Sequence, residues 1–446
     1  MSETLNRQNL MTEGGFRKKI LFFAGPIFIG QLFQQLYNTA DSLIVGQFLG
    51  KEALAAVSST GSLTYLLIGF FMGFSTGAGI VIARWIGAED EQRASKAVHT
   101  AVAMGLMFSV ILSVAGVLFC PVFLKWMGSP EDVLPLSSLY LRVYFGGSTG
   151  LIMYNTFVGI LQASGDSKHP LIYLIISSIT NVILDIFFIG VLKFGVEGAA
   201  IATVISQFLS MFLVLARLRK TEGATKIELR KISLDPGNFK QIVRYGLPTA
   251  LQACVIDLSN ILIQSYINSF GKLAMAGIGA YSKVEGFAFL PTNAFSMAMS
   301  TYVSQNMGAK KYDRVKAGIR FGILSAISMV ALIGLTIYLF APVFIAAFNS
   351  DPEVVAYGVA RARICAPFYF LLSFSHVTSA IMRGVGKPLA PMIVMLVCWC
   401  AVRVAVLMTV GQTYHFIDLT SWLYPITWSM STVVYLFYLR NIRYDS

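Results

Sequence analysis

Charged side chains are scarce in this sequence: they make up 13% of its 446 residues. A soluble globular domain usually carries about a quarter. Hydrophobic residues make up 56% of the chain, and the mean hydropathy is +0.69. Apolar stretches of membrane-spanning length recur from end to end, which predicts an all-α polytopic membrane protein.

Cysteine and histidine are also few, with five and four residues. The cysteines fall in or beside apolar stretches at spacings that match no metal motif, so we interpret them as packing residues. The sequence has no GxxxxGK[ST] run that would bind ATP phosphates, and no nucleophile–base arrangement. These absences favour a protein that is not an enzyme, needs no cofactor, and takes its energy from an ion gradient.

Twelve apolar segments are long enough to cross a bilayer as helices. We predict spans at residues 20–48, 54–86, 96–125, 135–162, 169–192, 196–218, 242–270, 275–307, 317–348, 353–382, 388–411 and 419–439.

The net charge of +12 is unevenly distributed along the chain. Lys and Arg gather in both tails, in the even-numbered loops and in a central basic segment, whereas the odd-numbered loops hold mostly single cations. This bias predicts a plasma (inner) membrane protein with both termini cytoplasmic. The basic residues would contact anionic lipid headgroups, and no nucleic-acid partner is expected. We also expect a monomer.

The chain repeats itself with an offset of 221 residues, about half its length. Gly50, Gly87, Pro121, Val133, Gly165 and Pro170 recur as Gly271, Gly308, Pro342, Val354, Gly386 and Pro391, while Pro26 and Pro248 differ by 222. Such a repeat predicts two six-helix lobes related by pseudo-two-fold symmetry, with a cavity between them. The predicted parts are a tail (1–19), an N-terminal lobe (20–220), a cytoplasmic linker (221–240), a C-terminal lobe (241–440) and a second tail (441–446).

Two carboxylates lie deep inside predicted spans. Asp41 and Asp185 each fall 15 residues after a proline that opens the segment, Pro26 and Pro170. This is roughly 22 Å of helix, so both acids would reach a similar depth in the bilayer. An ionisable group there costs at least about 2.5 kcal/mol on insertion scales, and it usually faces a partner, a cavity or a transported ion.

Oxygen-bearing side chains accompany these acids. Asn181 lies four residues before Asp185 and shares its helix face, and Thr203 lies in the sixth span. Two carboxylates, an amide and a hydroxyl suit a hard cation such as Na⁺. The same carboxylates, desolvated and close together, also suit proton exchange near neutral pH. The alternative is a polar cluster that only holds helices together.

The second half is decorated differently, because Asp41 and Asp185 align there with Leu262 and Val406. Candidate substrate-cavity residues are Gln34, Asn38, Asp257, Asn260, Gln264 and Glu285. Lys283 and Arg403 are expected to be structural counter-ions, for example in a pair between Arg403 and Asp257 or Glu285.

Several motifs resemble those of the multidrug and toxic compound extrusion (MATE) transporters. In the first half they are Gly25-Pro26, the run from Gln34 to Asp41, Gln162 to Asp166, Asn181 to Asp185, and Gly195 to Thr203; in the second half they are Gly246 to Pro248, Tyr281 to Glu285, and Gln305 to Gly308. Each motif is weak alone, but their order and spacing together are specific and cover nearly the whole chain.

The resemblance implies a secondary exporter of organic, often cationic and amphipathic, compounds in exchange for H⁺ or Na⁺. It is closest to a bacterial branch whose cation site lies in the N-terminal lobe, where the family's ligands fall on Asp41, Asn181, Asp185 and Thr203. The alternatives are a lipid-linked oligosaccharide flippase or a dedicated metabolite exporter of the same superfamily, and, from another class, a membrane receptor.

Overall fold

The computed structural model of the protein describes residues 10–126 and 134–442. Parts of the two predicted tails (1–9 and 443–446) and Val133 of the internal repeat lie outside the described residues. Throughout the described ranges the regular structure is helical, with no strand.

Six helices form the first half of the chain within the residues described. They are α1 (Phe16–Gly50), α2 (51–87), α3 (Glu91–Trp126), α4 (Leu134–Gly146 and Ser148–Ala163), α5 (Lys168–Val191) and α6 (Val196–Lys220). α1 and α2 meet at Gly50, whose φ of 87° is in the left-handed region that glycine tolerates.

Six helices also form the second half. They are α7 (Pro236–Asn268), α8 (Lys272–Gly308), α9 (Tyr312–Ala346), α10 (Pro352–Val385), α11 (Leu389–Tyr414) and α12 (Asp418–Arg440). The prediction of an all-α polytopic protein with twelve helices is therefore confirmed.

Hydropathy and length alone identify nine of these helices as candidate spans within the described residues. The other three are α4, α8 and α12. α4 is interrupted at Gly147, so neither of its parts, of 13 and 16 residues, is long enough. α8 and α12 carry many hydroxyl and amide side chains, which lower their mean hydropathy.

The internal repeat extends to the backbone conformation. Residues with positive φ recur at the same offset of 221, and so does a π-helical turn, which follows Asp185 as Ile186–Val191 and recurs as Leu407–Gly411. The matched positive-φ pairs are Gly50 (87°) with Gly271 (91°), Glu89 (57°) with Lys310 (57°), and Gly165 (90°) with Gly386 (113°).

The chain divides into two compact units. Unit 1 comprises Gly25–Ala250 and the residues before Gly14, so it includes the first part of α7. Unit 2 comprises Gly14–Ala24 and the residues from Leu251 onward, so it includes the start of α1.

The start of α1 is attached to α9 within unit 2. Nη1 of Arg314 donates to the carbonyl of Gly14 at 2.7 Å. The ring of Phe16 packs edge-on against Phe321 at 6.1 Å, and the guanidinium of Arg17 lies 5.9 Å from the same Phe321 ring. These contacts explain why the first turns of the chain's first helix belong to unit 2.

The first part of α7 packs backbone to backbone against α2 within unit 1. A Cβ atom added at Gly77 would lie 2.5 Å from the nitrogen of Gly246, and one added at Gly73 would lie 2.4 Å from the nitrogen of Ala250. Small residues allow this close approach, as is usual where membrane helices cross.

We expect Gly77→Ala to destabilise the protein by about 1 to 3 kcal/mol, because the added methyl would overlap the α7 backbone, which cannot move aside as a side chain can. The measurement is the unfolding midpoint of detergent-purified protein. Gly69→Ala in the same helix is the control, since no atom lies within 4 Å of the added Cβ. Equal midpoints for the two variants would show that the α2–α7 contact is loose.

Candidate functional site

Three of the four predicted coupling residues join α5 to α6 inside unit 1. Asn181 and Asp185 lie one helical turn apart on α5, and both are buried (1% and 0% exposed). With the Asn181 amide oriented to satisfy both neighbours, its Nδ2 donates to Oδ2 of Asp185 at 3.1 Å. Its Oδ1 then accepts the backbone N–H of Thr203 at 3.3 Å. Asn181 therefore holds the Asp185 carboxyl in a fixed position.

The hydroxyl of Thr203 lies beside this amide. It donates to the carbonyl of Ala199 at 3.0 Å, which leaves oxygen lone pairs free to accept a proton or bind a cation. In the opposite amide orientation, Nδ2 of Asn181 donates to this hydroxyl at 3.5 Å. Thr203 is buried, so its oxygen contacts protein groups rather than bulk water.

Asp41, on α1, completes what we call the acid cluster: Asp41, Asn181, Asp185 and Thr203. The carboxyl groups of Asp41 and Asp185 are within hydrogen-bonding range of each other. Oδ1 of each is buried and has no hydrogen-bond partner in the described part of the chain. None of the ion pairs found there includes either acid. Two carboxylates this close repel each other unless a proton or cation lies between them.

Tyrosines of α4 lie next to the acid cluster. Tyr140 is buried and close enough to interact electrostatically with both Asp41 and Asp185. Its ring stacks on Tyr144 at 6.1 Å with an angle of 14° between the planes. The hydroxyl of Tyr144 accepts a hydrogen bond from Nε2 of Gln207 at 3.5 Å. Sequence reasoning missed these tyrosines; their spacing of four on an apolar helix was the only signal.

A change of helix type follows the acid cluster. The α-helical part of α5 ends at Asp185, and the next six residues, Ile186–Val191, form the π-helical turn. π-turns interrupt the regular hydrogen-bond ladder, occur frequently at functional sites, and are places where helices bend. α5 is therefore able to bend directly beside its buried carboxylate.

The acid cluster has the chemistry of a site for a hard cation or a proton. Carboxylate, amide and hydroxyl oxygens are ligands that Na⁺ prefers, and the unpartnered Oδ1 atoms of Asp41 and Asp185 are available to bind it. Among the described residues no group of three or more His, Cys, Asp and Glu side chains is arranged to hold a metal ion. Transition metals instead favour imidazole and thiolate ligands, which the acid cluster does not contain.

The other predicted residues of the first half lie on α1. Gln34 is exposed and Asn38 is half-buried. The backbone carbonyl of Asn38 accepts the hydroxyl of Ser42 at 2.9 Å. Their role in contacting substrate stays a prediction.

The predicted cavity residues of α7 are not fully buried, and neither is Asp41 of the acid cluster, which is half-buried. Asp257 is half-buried, and Asn260 and Gln264 are exposed. Oδ1 of Asn260 accepts the hydroxyl of Tyr424 at 3.3 Å, and Nε2 of Gln264 donates to Asn268 at 2.8 Å. The structure therefore joins Asn260 to α12, while Gln264 bonds within its own helix.

Glu285 of α8 belongs to a chain of hydroxyl groups. The hydroxyl of Tyr281 donates to Oε1 of Glu285 at 2.9 Å, and it lies 2.6 Å from the hydroxyl of Tyr369 on α10. Both tyrosines are fully buried.

The two predicted counter-ions differ in environment. Lys283 is exposed, whereas Arg403 is only 1% exposed. None of the ion pairs within 4.0 Å in the described ranges joins Arg403 to Asp257 or Glu285. Arg361 of α10, which sequence reasoning missed, is also buried (4% exposed) and lies near Glu285.

Comparison with known proteins agrees with the helical repeat. The MatE family model matches residues 26–187 and again 248–409, so both halves carry the same family pattern. One relative is "Probable multidrug resistance protein YoeA" of Bacillus subtilis (strain 168), 28% identical over 433 residues, covering 95% of this chain and 94% of the relative. Another is "Probable multidrug resistance protein NorM" of Thermotoga maritima, 26% identical, covering 95% and 92%.

A solved structure is similar over the same length. It is the outward-facing conformation of a multidrug resistance MATE family transporter of the MOP superfamily. The TM-score is 0.89 with 25% sequence identity, and the match covers 97% of this chain and 96% of the other.

The apolar helices, the repeated family pattern and the similar transporter structure define a multi-pass membrane transporter rather than an enzyme. The family model matches each half of the chain, and the two matches together cover most of its length. The chain therefore belongs to the MatE family, as the resemblance in its sequence predicted.

Proposed function

We propose that this protein is a secondary exporter of organic, often cationic and amphipathic, compounds, driven by an inward H⁺ or Na⁺ gradient through alternating access. The relatives named as multidrug resistance proteins support the substrate class. The observation that carries the coupling is the pair of unpartnered carboxyl oxygens, on Asp41 and Asp185, buried side by side in unit 1.

The roles of the four residues follow from their contacts. Asp41 and Asp185 would hold the coupling ion between α1 and α5, because only an ion or proton relieves the repulsion between them. Asn181 fixes the Asp185 carboxyl, and Thr203 adds a hydroxyl oxygen from α6. Binding and release of the ion would change the electrostatic attraction between α1 and α5, which is the differential interaction that a conformational change requires.

The location follows from the charge pattern. We propose a plasma (inner) membrane protein, acting as a monomer, with both termini cytoplasmic and the basic segments against anionic lipid headgroups. Gln34, Asn38, Asp257, Asn260, Gln264 and Glu285 are the residues proposed to contact substrate.

The test uses purified protein in liposomes loaded with ethidium, a fluorescent organic cation. A Na⁺ gradient and a proton gradient are imposed separately, and dye efflux is followed. We expect only one of the two gradients to drive efflux, and the effective gradient would identify the coupling ion. No efflux under either gradient by well-folded protein would instead favour a flippase or a dedicated metabolite exporter.

A further inference from the structure

The interior of unit 2 carries buried positive charge where unit 1 carries buried negative charge. Arg403 is 1% exposed, and its Nε donates to the hydroxyl of Thr427 at 3.1 Å. Its guanidinium lies 4.2 Å from the ring centre of Tyr424 and 5.2 Å from that of Trp399. Nη2 of Arg403 has no hydrogen-bond partner in the described ranges.

Arg361 lies against the same aromatic ring. It is 4% exposed, its Nη1 donates to Thr420 at 3.2 Å, and its guanidinium lies 4.9 Å from the ring centre of Tyr424. Its Nε also has no partner in the part of the chain that the structure describes. We call Arg361 and Arg403 the arginine pair; both have unused N–H donors beside Tyr424.

The charge of the arginine pair is only partly balanced. Glu285 is the acid whose charge acts on both arginines, but it is not within ion-pair distance of either one among the described residues, and its Oε1 accepts the hydroxyl of Tyr281. Cation–π contacts compensate a buried guanidinium by about 2 kcal/mol, which is less than its several-kcal/mol cost of desolvation. A further anion would remove this imbalance.

The arginine pair also occupies a corresponding place in the repeat. Arg361 follows Tyr140, a neighbour of the acid cluster, by 221 residues, and Tyr424 follows Thr203 by the same number. Arg403 follows Val182, next to Asn181, by 221. It lies on a five-residue α-helical segment, Val402–Val406, between π-helical turns that end at Ala401 and begin at Leu407. Positions next to the acid cluster of the first half thus hold arginines in the second, whereas the acids themselves align with Leu262 and Val406.

We infer that the arginine pair binds a carboxylate or phosphate group of a transported molecule, so that the protein also takes acidic or zwitterionic compounds. Arginine suits both groups because its planar N–H donors match their oxygens. The half-buried ring of Tyr424 lies against both guanidinium groups, and its hydroxyl bonds the exposed Asn260, so it links the pair to an exposed side chain. Glu285 balances part of the charge when the site is empty. This inference rests on the proposed export function and names a substrate class for it.

The first measurement is binding of carboxyfluorescein, a fluorescent anion, to detergent-purified protein by fluorescence anisotropy. Arg403→Gln and Arg361→Gln are each expected to raise its Kd roughly tenfold to hundredfold, because one charge-assisted hydrogen bond is lost. Arg403→Lys keeps the positive charge, so its Kd should rise less than that of Arg403→Gln. Glu285→Gln removes the competing negative charge and should lower the Kd roughly tenfold. If these residues had only a structural role, the arginine variants and Glu285→Gln would not change the Kd in opposite directions.

Ethidium binding to the same preparations is the control. In each variant the affinity for ethidium should stay unchanged or shift in the direction opposite to that for carboxyfluorescein. Misfolding would instead weaken the binding of both dyes. No carboxyfluorescein binding by wild type, or equal changes for the two dyes, would overturn the inference. Wild-type efflux of ethidium from liposomes is measured in parallel, so failure of the export function is recognised separately.

A lipid headgroup phosphate is the other source of such an anion. Binding is therefore repeated in nanodiscs of phosphatidylcholine with and without phosphatidylglycerol, and gradient-driven efflux of carboxyfluorescein is measured in liposomes. Efflux of the dye, lost in Arg403→Gln, supports a transported anion. Displacement of the dye by phosphatidylglycerol, with no dye efflux, would assign the arginine pair to lipid and overturn the substrate assignment.

Discussion

Asp41→Asn is expected to lower gradient-driven ethidium efflux by about 100-fold, to near the rate of protein-free liposomes. The amide has nearly the same shape as the carboxyl group, but it neither carries the charge that attracts the ion nor releases a proton. Asp185 then has no second carboxylate with which to share the ion. The measurement is the initial efflux rate at matched amounts of reconstituted protein.

Asp418→Asn is the matched control for this variant. Asp418 is an exposed acid in the first turn of α12, so the same change of side chain there removes a surface charge only. Its efflux rate should stay close to that of wild type. If Asp41→Asn, with normal yield and unfolding midpoint, transported as fast as this control, coupling through Asp41 would be ruled out.

Asp185→Asn is expected to abolish the stabilisation of the protein by its coupling ion. An ion that binds only the folded state at 100 times its Kd stabilises that state by about 2.7 kcal/mol. Wild type should therefore show an unfolding midpoint that rises with NaCl relative to choline chloride if the ion is Na⁺, or that depends on pH if it is H⁺. In Asp185→Asn that response should be flat, because the buried carboxylate is absent.

The alternative for Asp185 is a purely structural role. In that case the variant would lower the midpoint but keep the ion response, since the slope against ion concentration reports binding and not packing. Asp418→Asn again serves as the control and should respond as wild type does. Combining Asp41→Asn with Asp185→Asn should add little further loss, because the two carboxylates act on one ion.

The positions of the helices were predictable from the sequence where the length of an apolar segment alone sets the ends of a membrane-spanning helix. Most predicted spans end within a few residues of the observed helices, as in 169–192 for Lys168–Val191. α8 is not among the candidate spans that hydropathy and length identify in the described residues, but the apolar segment 275–307 was still predicted as a span. The interruption of α4 at Gly147 was not predicted. There a Cβ would lie 2.3 Å from Val204 of α6, a contact between helices that no local pattern records.

The site was predictable only in part, because it too depends on contacts between helices that are distant in sequence. The spacing of four predicted that Asn181 and Asp185 share a face, and the structure joins them by a hydrogen bond. The approach of Asp41 to Asp185 depends on how α1 packs on α5; the similar depth of the two acids allowed it, and the family resemblance implied it. Arg361 was missed because Arg361 and Arg363 near the start of α10 are typical of a membrane interface. Lys283 was expected as a counter-ion, but it is exposed and in no ion pair with any described residue.

The attachment of the start of α1 to α9 has a consequence for biogenesis. Gly14 bonds Arg314, which is made 300 residues later. At about 5 to 20 residues per second, the ribosome needs about 15 to 60 s to cover that distance. During this time the first helix is already synthesised while its docking surface does not yet exist. The order in which helices enter the bilayer therefore differs from the order in which they reach their final neighbours.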